Sequence, residues 1–392
     1  MTRINLAAVP NAEHRRMLAD SVADFTARGT DIARVRRLRG TREEYDRAVW
    51  EQMAGFGWLG ILVPESYGGL GLGLTEMAIV AKGLARALTP EPLTATAVLA
   101  ATALVAGENE ALKRESLPRL VSGALQPVLA WQEAPGELDP GNAQARAAPF
   151  EGGYRLNGTK RYMPGAAQAD AFLVSAQSGG TLALFWLPKD TAGLRFGLET
   201  LADGRCFGTL DMRDAHVPQS ALVARGIAAR EALDRAFDFG ATIAGAELAG
   251  VMERALEMTL DYLKTRIQFG KPIGAFQALQ HRAVDLHIQK ELANAVLDEA
   301  LAAMDGGAKA ATRAALASRV KARCADAALK ITREAIQLHG AIGFTDEYDA
   351  GLFLKRAMTL AAWLGNANWH RRRYAGLTLC GKAEGKPAGG DL

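Results

Sequence analysis

The chain is poor in cysteine: 392 residues carry only Cys206, Cys324 and Cys380. They are widely spaced, odd in number and never in a CxxC arrangement. That argues against a disulfide framework or a zinc site and suits a reducing, cytoplasmic setting. No stretch approaches the ~20 apolar residues of a membrane span, and Met1–Pro10 lacks the apolar core of a signal peptide. Neither sign of charge dominates: 46 basic against 43 acidic residues leave a formal +3. A dedicated nucleic-acid partner is therefore not expected. The one tight basic cluster, Arg371–Arg373, reads as a solvated helix face. A dinucleotide fingerprint is also missing. The glycine-rich GGLGLG at 68–73 follows no strand and lacks the GxGxxG spacing, so it reads as a connecting loop.

What is present falls into three textures, on a chain long enough for two or three domains. Residues 1–126 are helical in pattern. EEYDRAVWEQMAGFGWLG places Tyr45, Val49, Met53 and Phe56 three and four apart, and LTEMAIVAKGLARAL resumes a helix with its cap near Thr75. Residues 127–223 hold short β-prone runs such as AFLVSA and TLALFWLP, bounded by turn formers. GGYRLNGTKRYM reads there as a hairpin turning at Asn157-Gly158. From 224 to 380 long helices return. Leu248, Met252, Leu256 and Leu260 form one apolar stripe, and Leu316, Val320 and Cys324 begin another that continues to Leu338. Residues 381–392, GKAEGKPAGGDL, read as a disordered tail. The expected fold class is α+β, mainly α: a helical domain, a middle β domain and a C-terminal four-helix bundle.

Two segments give this order a family. YLKTRIQFGKPIGAFQALQHRAVDL closely resembles the flavin-dependent acyl-CoA dehydrogenases, and QLHGAIGFTDEYD at 337–349 resembles their Q-x-x-G-x-x-G motif. The texture of LAWQEAP and LNGTKRYMPGAAQADAFLVSA looks most like the small-subunit type of bacterial acyl-CoA dehydrogenase, described for dicarboxylic or unusual acyl-CoA substrates. The resemblance implies FAD, an acyl-CoA substrate, an electron-transfer flavoprotein or similar acceptor, and an oligomer. The oligomer is a homo-oligomer or a heteromer with a catalytic paralogue, because the family's FAD site draws on two subunits.

The resemblance also assigns residues. Arg266 would pair with the flavin pyrophosphate, a task suited to a forked guanidinium. Phe269 would pack on the cofactor, with Gln277 or Gln280 giving amide hydrogen bonds. Gln337, Gly340 and Gly343 would bring backbone close to the cofactor, with Ala341 replacing a usual glycine; Gly340 reads equally as a helix cap. In the β domain Gln132 stands where the family has a threonine, Tyr162 where it has a tryptophan and Pro164 where it has a hydroxyl residue. Gln132 can still donate to a flavin carbonyl and Tyr162 can still stack. Trp131 joins them, or else Trp131 and Tyr162 fill a β-domain core.

AAWLGNANWH at 361–370 contains no acid. Members with their catalytic base at this end carry a glutamate between an aromatic residue and Gly-Thr. Leu364 falls on that position, and Asn366 and Asn368 fall on flavin-contacting positions. The alternative base position, on the helix before Arg266, is Gly240. Asp238 matches an aspartate that contacts CoA, but the arginine that normally follows is Ala241. Glu133, Asp238 and Glu247 are the remaining candidate acids, Glu247 reading as structural. Two functions follow: an FAD-dependent acyl-CoA dehydrogenase with an unconventional base, or a non-catalytic partner subunit of a heteromeric enzyme. A third, a family member turned to nucleic-acid protection, is disfavoured by the modest charge.

Overall fold

The structure is a computed structural model and describes residues 11–29, 32–41 and 43–383. Six helices open the chain: α1 (Asn11–Gly29), α2 (Ile32–Leu38), α3 (Arg47–Gly55), α4 (Leu74–Arg86), α5 (Ala101–Ala106) and α6 (Glu110–Val121). A π-helical stretch, Thr94–Ala100, runs directly into α5 and is buried throughout. The GGLGLG segment connects to α4, whose N-cap is Gly73. Its first amides are satisfied at long range, because the Asp305 carboxylate accepts from the backbone of Leu74 and Thr75. The cap that the local sequence suggests near Thr75 is thus supplied from a distant helix end.

Eight strands follow: β1 (Pro127–Ala130), β2 (Arg146–Phe150), β3 (Gly153–Pro164), β4 (Ala171–Ser178), β5 (Thr181–Pro188), β6 (Leu194–Thr200), β7 (Cys206–Pro218) and β8 (Leu222–Arg225). They form one sheet in the order β6-β7-β3-β2-β4-β5-β8, with β1 pairing in parallel with β4. The expected turn at Asn157-Gly158 is not a turn. Both residues lie within β3, and the register against β7 shifts between Leu156 and Gly158. Gly158 has φ +140°, and a β-carbon there would come within 2.7 Å of that of Ala145. Asn157 is held across the strands by Asp214, through its amide and through the Asp214 backbone N–H. The Asn-Gly pair therefore makes a bulge, and the hairpin turns instead between β2 and β3.

The C-terminal part contains α7 (Ile227–Thr265), a short hairpin of β9 (Ile267–Gln268) and β10 (Lys271–Pro272), α8 (Gln277–Asp305), α9 (Ala310–His339), α10 (Ala350–Ala362) and α11 (Ala367–Ala383). The long helices read from the sequence are here at 39, 29 and 30 residues. Both apolar stripes are largely buried, and α9 packs against the other four helices. The expected disordered tail is helical through Ala383, and 384–392 lie outside the described residues. No helix among the described residues is long and apolar enough to cross a membrane.

Candidate functional site

The loop between α10 and α11 is tightly built. Trp363 caps α10, its N–H donating to the Thr359 carbonyl at 3.0 Å. Leu364 (φ 57°) and Gly365 (φ 99°) then turn the chain through the left-handed region. Asn366 starts α11 by accepting the Trp369 N–H at 2.9 Å. Two buried bases hold this turn. Lys321 Nζ donates to the carbonyls of Ala361 (3.1 Å) and Gly365 (2.8 Å), and His370 Nε2 donates to that of Leu364 (2.8 Å). Burial pushes Lys321 down to about 7; burial and then the Lys321 charge push His370 down to about 3. A turn that puts a leucine at positive φ is strained, and these bonds keep it in place.

The Leu364 side chain is 1 % exposed. A β-carbon built on Gly240 would lie 3.2 Å from Leu364 Cδ1 and 2.3 Å from Leu99 Cδ2. The fold thus brings together the two residues that sequence comparison singled out, and it fills the space between them with aliphatic carbon.

Aromatic rings flank this point. Trp131, at the end of β1, meets Phe237 of α7 edge-on at 5.6 Å, and Phe237 meets Trp369 at 5.7 Å. Trp131 thereby belongs to the helical core, not to the β-domain core. Tyr162, half-buried at φ 60°, lies edge-on to Phe207 with the Arg161 guanidinium over its ring. Gln132 spends its amide on the Ala134 carbonyl at 3.2 Å. Asn366 and Asn368 are exposed.

The three candidate acids are already committed. Glu133 pairs with the fully buried Lys160 and accepts the N–H groups of Gln144 and Ala145. Asp238, 1 % exposed, is clamped between Arg313 Nε (2.9 Å) and Arg373 Nη2 (2.7 Å). Burial still holds its carboxyl above the usual range despite both arginines. Its carboxylate faces the protein's own cations, and Arg373 also lies over the rings of Phe237 and Trp369. Arg373 is therefore a packed clamp, which corrects the reading of 371–373 as one solvated face. Glu247 pairs with Arg356 at 2.7 Å and accepts the Thr94 hydroxyl.

The other predicted residues gather at the far end of α7. Phe269 and Gly270 sit at the tip of the β9–β10 hairpin with φ of 51° and 76°. Phe269 is 91 % exposed. The exposed Arg266 guanidinium makes no hydrogen bond or ion pair among the described residues, although its backbone closes α7. Gln277 is exposed at the first turn of α8. Gly340 caps α9 at φ 64° with open space beside it, and Gly343 is required by close packing, since a β-carbon would meet the Ile336 carbonyl at 2.6 Å. Gln337 is exposed, while His339, two residues on, is buried against Tyr262 at 4.5 Å. That ring contact places the 337–343 segment beside the end of α7. Phe237 and Arg266 are separated by some 40 Å along one continuous helix at the usual rise per residue. Trp131, which meets Phe237, and the Arg266 group therefore lie far apart along α7.

Sequence reading missed a cavity next to Trp363 whose largely apolar wall also carries Glu44, Thr89, Arg205, Glu247 and Arg356. Its walls come from six separate stretches of chain, and of the five polar residues named only Glu247 carried an earlier signal.

Residues 12–124 match the family model described as acyl-CoA dehydrogenase, N-terminal domain, and residues 230–376 the one described as acyl-CoA dehydrogenase, C-terminal domain. The chain is 31 % identical over 346 residues to acyl-CoA dehydrogenase IpdE2 of Mycobacterium tuberculosis, covering 88 % of this chain and 91 % of that protein. Among solved structures it is similar to one in the ChsE4-ChsE5 complex of Mycobacterium tuberculosis (25 % identity, TM-score 0.85, 97 % of this chain and 99 % of that one). It is also similar to PigA, solved with FAD and proline (25 % identity, TM-score 0.85, 95 % and 98 %).

Proposed function

Because the chain belongs to the acyl-CoA dehydrogenase family, we propose that it is an FAD-binding subunit acting on acyl-CoA thioesters whose own active site holds no free carboxylate base. The contact of Leu364 with Gly240 and Leu99 carries this reading.

The residues present fit the cofactor. Arg266 is an unengaged, exposed cation suited to a phosphate. Gly340 offers an open backbone position at positive φ, on the segment that packs at the same end of α7. At the other end Gln132 and Tyr162 supply an amide and a ring for a flavin edge. The chemistry FAD supplies when bound is acceptance of hydride from the acyl β-carbon. Leu364 walls the reaction face and excludes water, but it takes no proton. General-base assistance is worth typically 10²–10⁴-fold, so the isolated chain would be a poor dehydrogenase.

A heteromer with a base-bearing paralogue is favoured by the state of the three candidate acids. Glu133, Asp238 and Glu247 are each bound to a cation of this chain. Trp131 and the Arg266 group lie far apart along α7, so a second subunit, a copy of this chain or a paralogue, would complete each cofactor site. The relative in the ChsE4-ChsE5 complex is consistent with such pairing. An electron-transfer flavoprotein or similar acceptor would reoxidise the flavin.

The test is visible absorption of the purified chain, followed by anaerobic mixing with a panel of acyl-CoAs, alone and with a glutamate-bearing paralogue. Yellow protein that bleaches only with the paralogue is expected. Rapid bleaching alone would overturn the missing base. Protein that stays colourless with added FAD and paralogue would overturn the cofactor assignment.

A further inference from the structure

The cavity lies against Trp363, the residue before Leu364, and against Glu247, two turns along α7 from Gly240. It offers about 60 Å³ to the centres of water molecules, room for roughly four waters. Apolar side chains such as Leu84, Leu93, Phe207 and Leu360 make up much of its wall, and polar groups are set among them.

Its charges are largely balanced within the protein. Arg356 bridges Asp203 (3.2 Å) and Glu247 (2.7 Å). Arg205 gives Nη2 to the carbonyls of Leu88 and Thr89, with Asp203 3.9 Å from its Nε. Glu91 is taken by Arg34 through both oxygens. Glu44 accepts two backbone N–H groups, from Cys206 (3.1 Å) and Ala167 (3.4 Å), and has no ion pair among the described residues. Burial pushes its carboxyl up to about 7, so its proton is held to near neutrality.

The uncommitted groups are donors. Thr89 is 6 % exposed, and its hydroxyl meets no partner among the described residues. Nη1 of Arg205 makes no hydrogen bond among the described residues. A saturated tail would leave these donors dry, at a cost of about 1–3 kcal/mol for each unsatisfied buried group. A carboxylate would add a charge to a set already paired.

We propose that this cavity receives the distal end of the acyl group and selects one carrying a neutral oxygen acceptor, a ketone or hydroxyl, over a plain alkyl or carboxylate end. The inference rests on the acyl-CoA reading above and names the substrate class for that site.

The experiment is calorimetric titration of the FAD-loaded protein with CoA thioesters matched in chain length: saturated, distally oxo-substituted and carboxylate-terminated. The oxo thioester should bind about tenfold tighter than the saturated one, the worth of one well-placed hydrogen bond. Thr89→Val should erase most of that preference without lowering the thermal midpoint, because the hydroxyl it removes bonds nothing in the fold. Equal affinity for oxo and saturated thioesters would overturn the cavity inference and leave the family chemistry standing. Tightest binding of the carboxylate-terminated thioester would overturn the neutral oxygen. A protein that binds none of the three would overturn both readings.

Discussion

Leu364 Cδ1 lies 3.2 Å from where a β-carbon on Gly240 would stand. The two positions are therefore alternatives for the same small volume, and one side chain fills it for both.

Leu364→Glu puts a carboxylate in that volume. Buried among aliphatic groups, its pKa would rise toward the range useful for a base. We expect a gain of acyl-CoA-dependent flavin bleaching in anaerobic mixing, together with a loss of folding stability from the buried polar group. A variant that folds, keeps its flavin and shows no faster bleaching than wild type would dismiss Leu364 as the missing base position.

Gly240 should not accept the same change. Leu99 Cδ2 stands 2.3 Å from the added β-carbon, so even Gly240→Ala overpacks the contact and should cost about 1–3 kcal/mol. Adding Leu99→Ala should recover part of that loss. Urea denaturation of the single and double variants measures it, and additive losses would show that the two residues do not compete for space.

Arg266→Ala should leave folding unchanged, because the side chain is exposed and bonds no other group of the described chain. FAD affinity should fall roughly ten- to a hundredfold, for loss of about 1.5–3 kcal/mol of charge-assisted contact. Flavin occupancy after dialysis reads this out. Unchanged occupancy would assign Arg266 to the corner alone.

Asp238→Asn should be severe without touching a ligand. It leaves Arg313 and Arg373 facing a neutral group in a buried setting, where breaking such a pair costs about 3–5 kcal/mol. A shift in the urea midpoint smaller than that of an ordinary surface substitution would argue that the clamp is not structural.

Lys321 predicts a pH dependence. Its folded pKa is about 7 against an ordinary 10.5. Between those values the unfolded chain binds the extra proton, so stability is lowest below pH 7 and rises toward pH 10, by at most about 1.4 kcal/mol per unit. Lys321→Met removes this slope. Denaturation at several pH values shows the contrast as the difference between variant and wild type, and parallel profiles would mean that Lys321 is not held neutral.

Much of the architecture was legible in local sequence because local physics dictates it. Apolar residues three and four apart specify long helices wherever a core is available, and α7, α8 and α9 run where the stripes run. Phe269-Gly270 and Gly340 need special backbone angles that a short motif encodes by itself. Asn157-Gly158 carried an equally clear turn signal, yet pairing with β7 and the closeness of Ala145 made it a bulge. The acids failed for a related reason. Asp238 finds its partners 75 and 135 residues away, and Glu247 finds Arg356 109 residues away. Whether a carboxylate is free or spent depends on which charges the fold carries to it, and no local pattern records that. The same holds for the cavity, whose walls come from six stretches spread between Glu44 and Trp363. The sequence alone determined the family, the helices and the absence of an acid at residue 364. Only tertiary structure decided that Gly240 and Leu364 share one space, because contact across packed helices depends on the register and rotation of each helix against its neighbours.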